Sequence, residues 1–130
     1  MKRITLIALA ISTLSGCVNV SESGYYWGDY SHSYYSYLQE PSKENISEHY
    51  EVLMSIVETS DIEKLKVPAG IYAELGYMHS KKGEYDAAIA FYNKEIELYP
   101  ESTVLIGTLI KQLKEQTPTN QVTETNEQQS

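Results

Sequence analysis

Between Ala69 and Ser102, small, aliphatic and aromatic residues recur in an order that suits two short helices folded back on each other. Gly76 and Ala88 are small where antiparallel helices must approach closely, and Leu75, Ile89 and Tyr92 fill the seam around them. The turn is punctuated to match. Lys81 and Lys82 stand at the end of the first helix, Gly83 is free to take positive φ, and Glu84 and Asp86 open the second. Pro100 then closes it.

The positions Tyr72, Leu75, Gly76, Gly83, Tyr85, Ala88, Tyr92 and Pro100 resemble, in order and spacing, one tetratricopeptide repeat, a helix-turn-helix unit of about 34 residues. Two residues depart from that pattern: His79 stands where the repeat usually has tyrosine, and Glu95 where it has a small residue. The resemblance implies an all-α fold and a scaffold for binding, and it carries no activity of its own. One repeat cannot bury its hydrophobic faces alone, so neighbouring helices must cover it. The segment from Ser42 to Ser60 supplies one, with Ile46, Tyr50, Leu53 and Val57 at helical spacing, Ser42 as cap and Glu44 in the first turn. Thr103 to Glu115 supplies the other, with Ile106, Leu109, Ile110 and Leu113 on one stripe. Val104 and Leu105 lie off that stripe; either the last helix is contacted on two faces or it keeps apolar surface for another protein. A shorter helix is expected over Ser33 to Gln39, stopped by Pro41. The whole is a hairpin with flanking helices.

The two ends read differently. Lys2 and Arg3 precede the apolar run Ile4 to Ile11, which is too short to span a bilayer, and small residues follow: the layout of a secretory signal. Leu14-Ser15-Gly16-Cys17 resembles the lipobox of bacterial lipoproteins, which implies cleavage before Cys17 and acylation of that cysteine; the alternative is an ordinary signal whose Cys17 falls near the cut. The absence of any second cysteine agrees with export to an oxidising compartment. Val18 follows Cys17, and by resemblance to enteric lipoproteins it favours sorting to the periplasmic face of the outer membrane. Expected boundaries are a signal peptide over 1–16, a lipidated tether over 17–24 that reaches about 23 Å beyond the cysteine, a helical domain over 25–115 and a disordered Thr/Gln/Asn/Glu tail over 116–130.

Tyr25 to Tyr37 holds six tyrosines and the only tryptophan, Trp27. Rings with an apolar face and a polar tip suit half-buried contact, so this segment is either a docking surface for protein or glycan, an interfacial belt at the membrane, or core packing on the helices. With Tyr25-x-Trp27-Gly28-x-Tyr30 close behind Cys17, it also resembles a family of small bacterial outer-membrane lipoproteins. That resemblance implies an accessory role in an envelope or secretion assembly, beside a CsgG-like lipoprotein and a further small lipoprotein.

Chemistry is harder to find. His32, His49 and His79 are scattered, with no metal-ligand spacing between them, and no Walker loop, Gly-x-Ser-x-Gly elbow or HExxH is present. No catalytic residue, cofactor or metal is expected. Glu58, Asp61, Glu63, Glu95 and Glu97 read as solvated faces, and His49 and His79 as helix-surface or seam residues. The net charge of −8 speaks against a nucleic-acid partner. Ala73, Tyr77, Ser80 and Lys81 on the first helix of the repeat do not make a carboxylate clamp, whereas Tyr77 with Tyr72 suits an apolar or helical ligand. Candidate contact residues are therefore Tyr25, Trp27, Tyr30, Tyr72, Tyr77, Val104 and Leu105, with Cys17 as the lipid anchor. The expected function is a non-enzymatic adaptor; the alternative is a peptidoglycan- or glycan-binding lipoprotein that uses the Tyr/Trp-rich segment.

Overall fold

The computed structural model describes residues 24–116 as an all-helical array. The signal-like segment over 1–16, Cys17, the tether over 17–24 and the tail over 116–130 lie outside the described residues, apart from Gly24 and Gln116. Five α-helices follow in order: Tyr30–Gln39 (α1), Lys43–Ile62 (α2), Ile71–Lys81 (α3), Tyr85–Leu98 (α4) and Thr103–Gln116 (α5), with a 3-10 turn at Pro100–Ser102. α1 packs on α2, α3 on α4, and α4 on α5, while α2 and α3 join the two hairpins. None of the described helices is long and apolar enough to cross a membrane.

Local chemistry sets the boundaries. Ser42 caps α2 by accepting the Asn45 N–H at 3.1 Å, and Asn45 donates its amide back to the carbonyls of Ser36 and Glu40, which ties the end of α1 to the start of α2. α1 begins at Tyr30, three residues before the expected Ser33, because the Trp27 carbonyl takes the Tyr30 N–H and Gly28 turns the chain at φ +48°. Half of the aromatic run therefore becomes helix. α2 ends at Ile62, and the chain turns off it at Lys64, held at φ 57° while the Leu65 N–H reaches back to the Ser60 carbonyl.

The α3–α4 hairpin has the close approach that its small residues predict. A Cβ built on Gly76 would fall 2.6 Å from the Tyr92 ring and 3.1 Å from the Ala88 carbonyl, and Gly83 turns the chain at φ +78°. One apolar cluster joins α2 to α3 through Leu53, Ile56, Ile71, Tyr72, Leu75 and Met78. A second joins α4 to α5 through Ala88, Tyr92, Ile106 and Leu113.

Two expectations are corrected inside this core. The buried stripe of α2 is His49, Leu53, Ile56 and Ser60, whereas Ile46, Tyr50 and Val57 flank it half-buried. α2 is turned so that His49 meets both α1 and α3, while Leu53 and Ile56 pack on α3. Glu95 is not a solvated carboxylate: it is 3% exposed, and its two oxygens accept the backbone N–H groups of Gly70 at 2.8 Å and Ala73 at 3.3 Å. A residue on α4 thus caps the start of α3, where unpaired N–H groups and the helix dipole both favour a negative charge. His79 does lie in a seam, bridging Tyr50 of α2 and Glu84 at the hairpin turn and stacking on Phe91 of α4.

Candidate functional site

α1, α3 and α5 present side chains to one face of the array, and Tyr77 stands at its centre. It is 46% exposed and lines three adjoining hollows. The first, about 490 Å³, lies between α1 and α3 under Tyr30, Tyr34, Tyr37 and Tyr77, with Glu74 among its walls. A second, about 320 Å³, continues toward Pro41, Ile46 and the lysines Lys81 and Lys82. The third, about 330 Å³, lies between α3 and α5 and is lined by Tyr92, Leu109 and Gln112.

The tyrosines of α1 hold their places through a buried polar chain that spans three helices. Ser33 Oγ lies 2.9 Å from His49 Nδ1, His49 Nε2 lies 3.1 Å from Glu74 Oε1, and the Tyr30 hydroxyl donates to Glu74 Oε2 at 3.0 Å. His49 has no exposed surface; its ring is stacked on Tyr37 and tilted against Tyr30 and Tyr34. Of the two expectations for His49, the seam holds and the helix surface does not: the ring is buried where α1, α2 and α3 meet. Burial, reinforced by the Glu74 carboxylate, raises the Tyr30 hydroxyl well above the ordinary phenol range, and burial does the same more mildly for Tyr37.

Ser33, His49 and Glu74 line up as hydroxyl, imidazole and carboxylate, a constellation that spacing along the chain does not reveal, since it joins residues 16 and 25 positions apart. Ser33 is 1% exposed, and its hydroxyl is also within reach of the Tyr30 carbonyl at 3.2 Å. In this form the serine oxygen is out of reach of a substrate, and the chain acts as a link between helices. Among the described residues, no group of three His, Cys, Asp or Glu side chains is placed to hold a metal ion.

The candidate contact residues separate in space. Tyr30 and Tyr77 share the first hollow, together with Tyr34 and Tyr37. Trp27 leans edge-on against Tyr30 at 5.4 Å and stays exposed, as does Tyr25. Tyr72 does not join Tyr77: it is 9% exposed, stacked on Phe91, and part of the core between α2 and α3. The reason is helical phase, since five residues at about 100° each turn Tyr77 well away from Tyr72. Val104 and Leu105 are exposed at 84% and 67% on the first turn of α5, with Leu105 one turn ahead of the groove residue Leu109. Glu74 was the member that reading the sequence did not single out; Tyr34 and Tyr37 entered only as part of the aromatic run, and His49 without a link to the tyrosines.

A family described as a domain of unknown function, DUF4810, matches residues 25–109. The chain belongs to the DUF4810 family. The DUF4810 match begins at Tyr25, takes in the aromatic run, α1 to α4 and every residue of the first hollow, and ends at Leu109 in α5. A search of curated proteins finds no match to the chain, and a search of solved structures finds none either.

Proposed function

We propose that this DUF4810 protein is a lipid-anchored periplasmic adaptor, a tetratricopeptide-like module that docks a protein partner on the face formed by α1, α3 and α5. The reading rests above all on Tyr77, a large ring left half-open where three hollows meet, on a helix whose other large apolar residues are in the core. The lipobox-like Leu14-Ser15-Gly16-Cys17 supports the anchor, and Val18 supports the outer membrane. Acyl chains at Cys17 would raise the local concentration of the module at the bilayer, so that modest contacts on the groove suffice. The envelope partner expected from the lipoprotein resemblance is a CsgG-like lipoprotein together with a second small lipoprotein.

The test places a photocrosslinking residue at position 77 in cells, with position 51 on the exposed side of α2 as control. A discrete envelope protein crosslinked from 77 and not from 51 supports docking; no crosslink from 77, or equal crosslinks from both, removes it. Mass spectrometry of the mature N-terminus tests the anchor separately, with an acylated Cys17 as the expected product.

A second reading, binding of peptidoglycan or another glycan, is favoured by the exposure of Tyr25, Tyr26 and Trp27 just ahead of α1. It predicts sedimentation with cell wall that drops at least several-fold in Trp27→Ala.

A further inference from the structure

The hollow between α1 and α3 differs from the other two in its chemistry. Four tyrosine rings surround it, and one carboxylate, Glu74, faces it. The Glu74 side chain is 18% exposed and lies within hydrogen-bond distance of the His49 imidazole and the Tyr30 hydroxyl, with no lysine within 4.0 Å. Each of its oxygens accepts one hydrogen bond, from His49 and from Tyr30, which leaves a lone-pair position on each. Ring faces carry negative potential and attract cations, and a desolvated carboxylate between them adds to that attraction.

We propose that this hollow seats the guanidinium group of an arginine side chain from a protein partner. The inference rests on the docking reading above and specifies its chemistry. Charge complementarity carries it: the chain has a net charge of −8, and its only arginine, Arg3, lies outside the described residues. Lys81 approaches the Tyr77 ring at 5.9 Å and lines the two neighbouring hollows but not this one, so the lysine charge lies outside the Glu74 hollow. A planar guanidinium stacks on tyrosine faces while reaching a carboxylate edge-on, which a compact ammonium does less well. A metal ion is disfavoured by the chemistry of the walls, because one carboxylate among phenol rings offers far fewer than the six to eight oxygens that a hard divalent cation takes.

The probe is N-acetylarginine amide, titrated into the full chain while the ring resonances of Tyr30, Tyr34, Tyr37 and Tyr77 are followed by NMR. N-acetylcitrulline amide, which has the same shape without the charge, serves as control. Saturable shifts in the millimolar range with arginine, and at least tenfold weaker binding of citrulline, are expected. Glu74→Gln should weaken arginine at least tenfold and leave citrulline unchanged, and Tyr77→Leu, at an exposed position, should weaken arginine without touching the polar chain beneath. Equal binding of arginine and citrulline, equal binding to the wild type and a folded Glu74→Gln, or unmoved tyrosine rings would overturn the proposal. If arginine fails while position 77 still crosslinks its envelope protein, docking stands and the cation is lost. If arginine binds and no crosslink forms, the seat stands without the partner.

Discussion

The Glu95 carboxylate of α4 accepts the Gly70 N–H at 2.8 Å, 25 residues back along the chain, so that one helix caps another across the hairpin. The same carboxylate takes the Ala73 N–H. Glu95→Ala takes the acceptor away from the part-buried N–H groups of Gly70 and Ala73 and should lower stability by about 2 kcal/mol in urea unfolding, whereas Glu95→Gln, which keeps one carbonyl oxygen, should cost about 1 kcal/mol. An alanine variant within about 0.5 kcal/mol of wild type would show that water satisfies these groups instead.

Gly76 and Tyr92 leave no room for a methyl group between them. Alanine is a better helix former than glycine by about 1 kcal/mol, yet Gly76→Ala should destabilise by about 2–3 kcal/mol, because the buried Tyr92 ring and the Ala88 carbonyl must both give way. Combining it with Tyr92→Leu should recover part of that loss. A double-mutant cycle with zero coupling would contradict the close approach.

Lys64, two residues past the end of α2, is in the left-handed region at φ 57°, with its side chain in solvent. A residue with a Cβ is strained there and glycine is not. Lys64→Gly is expected to raise stability by about 0.5–1 kcal/mol, read as a shift of the thermal midpoint; a lowered midpoint would mean that the turn is held by contacts of the lysine.

Burial holds the hydroxyls of Tyr30, Tyr37, Tyr72, Tyr92 and Tyr99 above the ordinary phenol value, with nearby carboxylates adding to the effect at Tyr30, Tyr37, Tyr72 and Tyr99. The sign follows directly. A group that binds its proton more tightly when folded contributes full stability below its unfolded pKa near 10 and loses that contribution as the pH rises toward the folded value. Each such phenol can contribute up to about 1.4 kcal/mol of lost stability per pH unit above 10. Alkaline titration should therefore show cooperative loss of helical circular dichroism together with phenolate absorbance. Phenolate formation for all tyrosines near pH 10, without unfolding, would refute this.

Periodicity and punctuation made the hairpin legible: Gly76, Ala88 and Tyr92 specify the seam, and Gly83 the turn, because the two helices are consecutive and a short turn brings their small and aromatic residues face to face. The face of α2 was not legible, since His49 and Ser60 are polar and sit at the centre of its buried stripe. Polarity misleads wherever the partner arrives from a distant helix, as Ser33 and Glu74 do for His49, or Gly70 and Ala73 for Glu95. The same limit applied to the groove. The tyrosine run marked α1 as aromatic, but only the fold brings Tyr30, Tyr34 and Tyr37 opposite Tyr77 and Glu74 and sends Tyr72 to the core.

α1 is a helix of 10 residues whose one buried member is Ser33, and its ties to the array run through that serine, the Tyr30 hydroxyl, the Asn45 amide and ring contacts with His49. Few aliphatic contacts moor it. Its amides should exchange with deuterium before those of α3 and α4, and whatever settles against its tyrosines would slow that exchange, so occupancy of the groove and the ordering of one terminal helix become a single thermodynamic event.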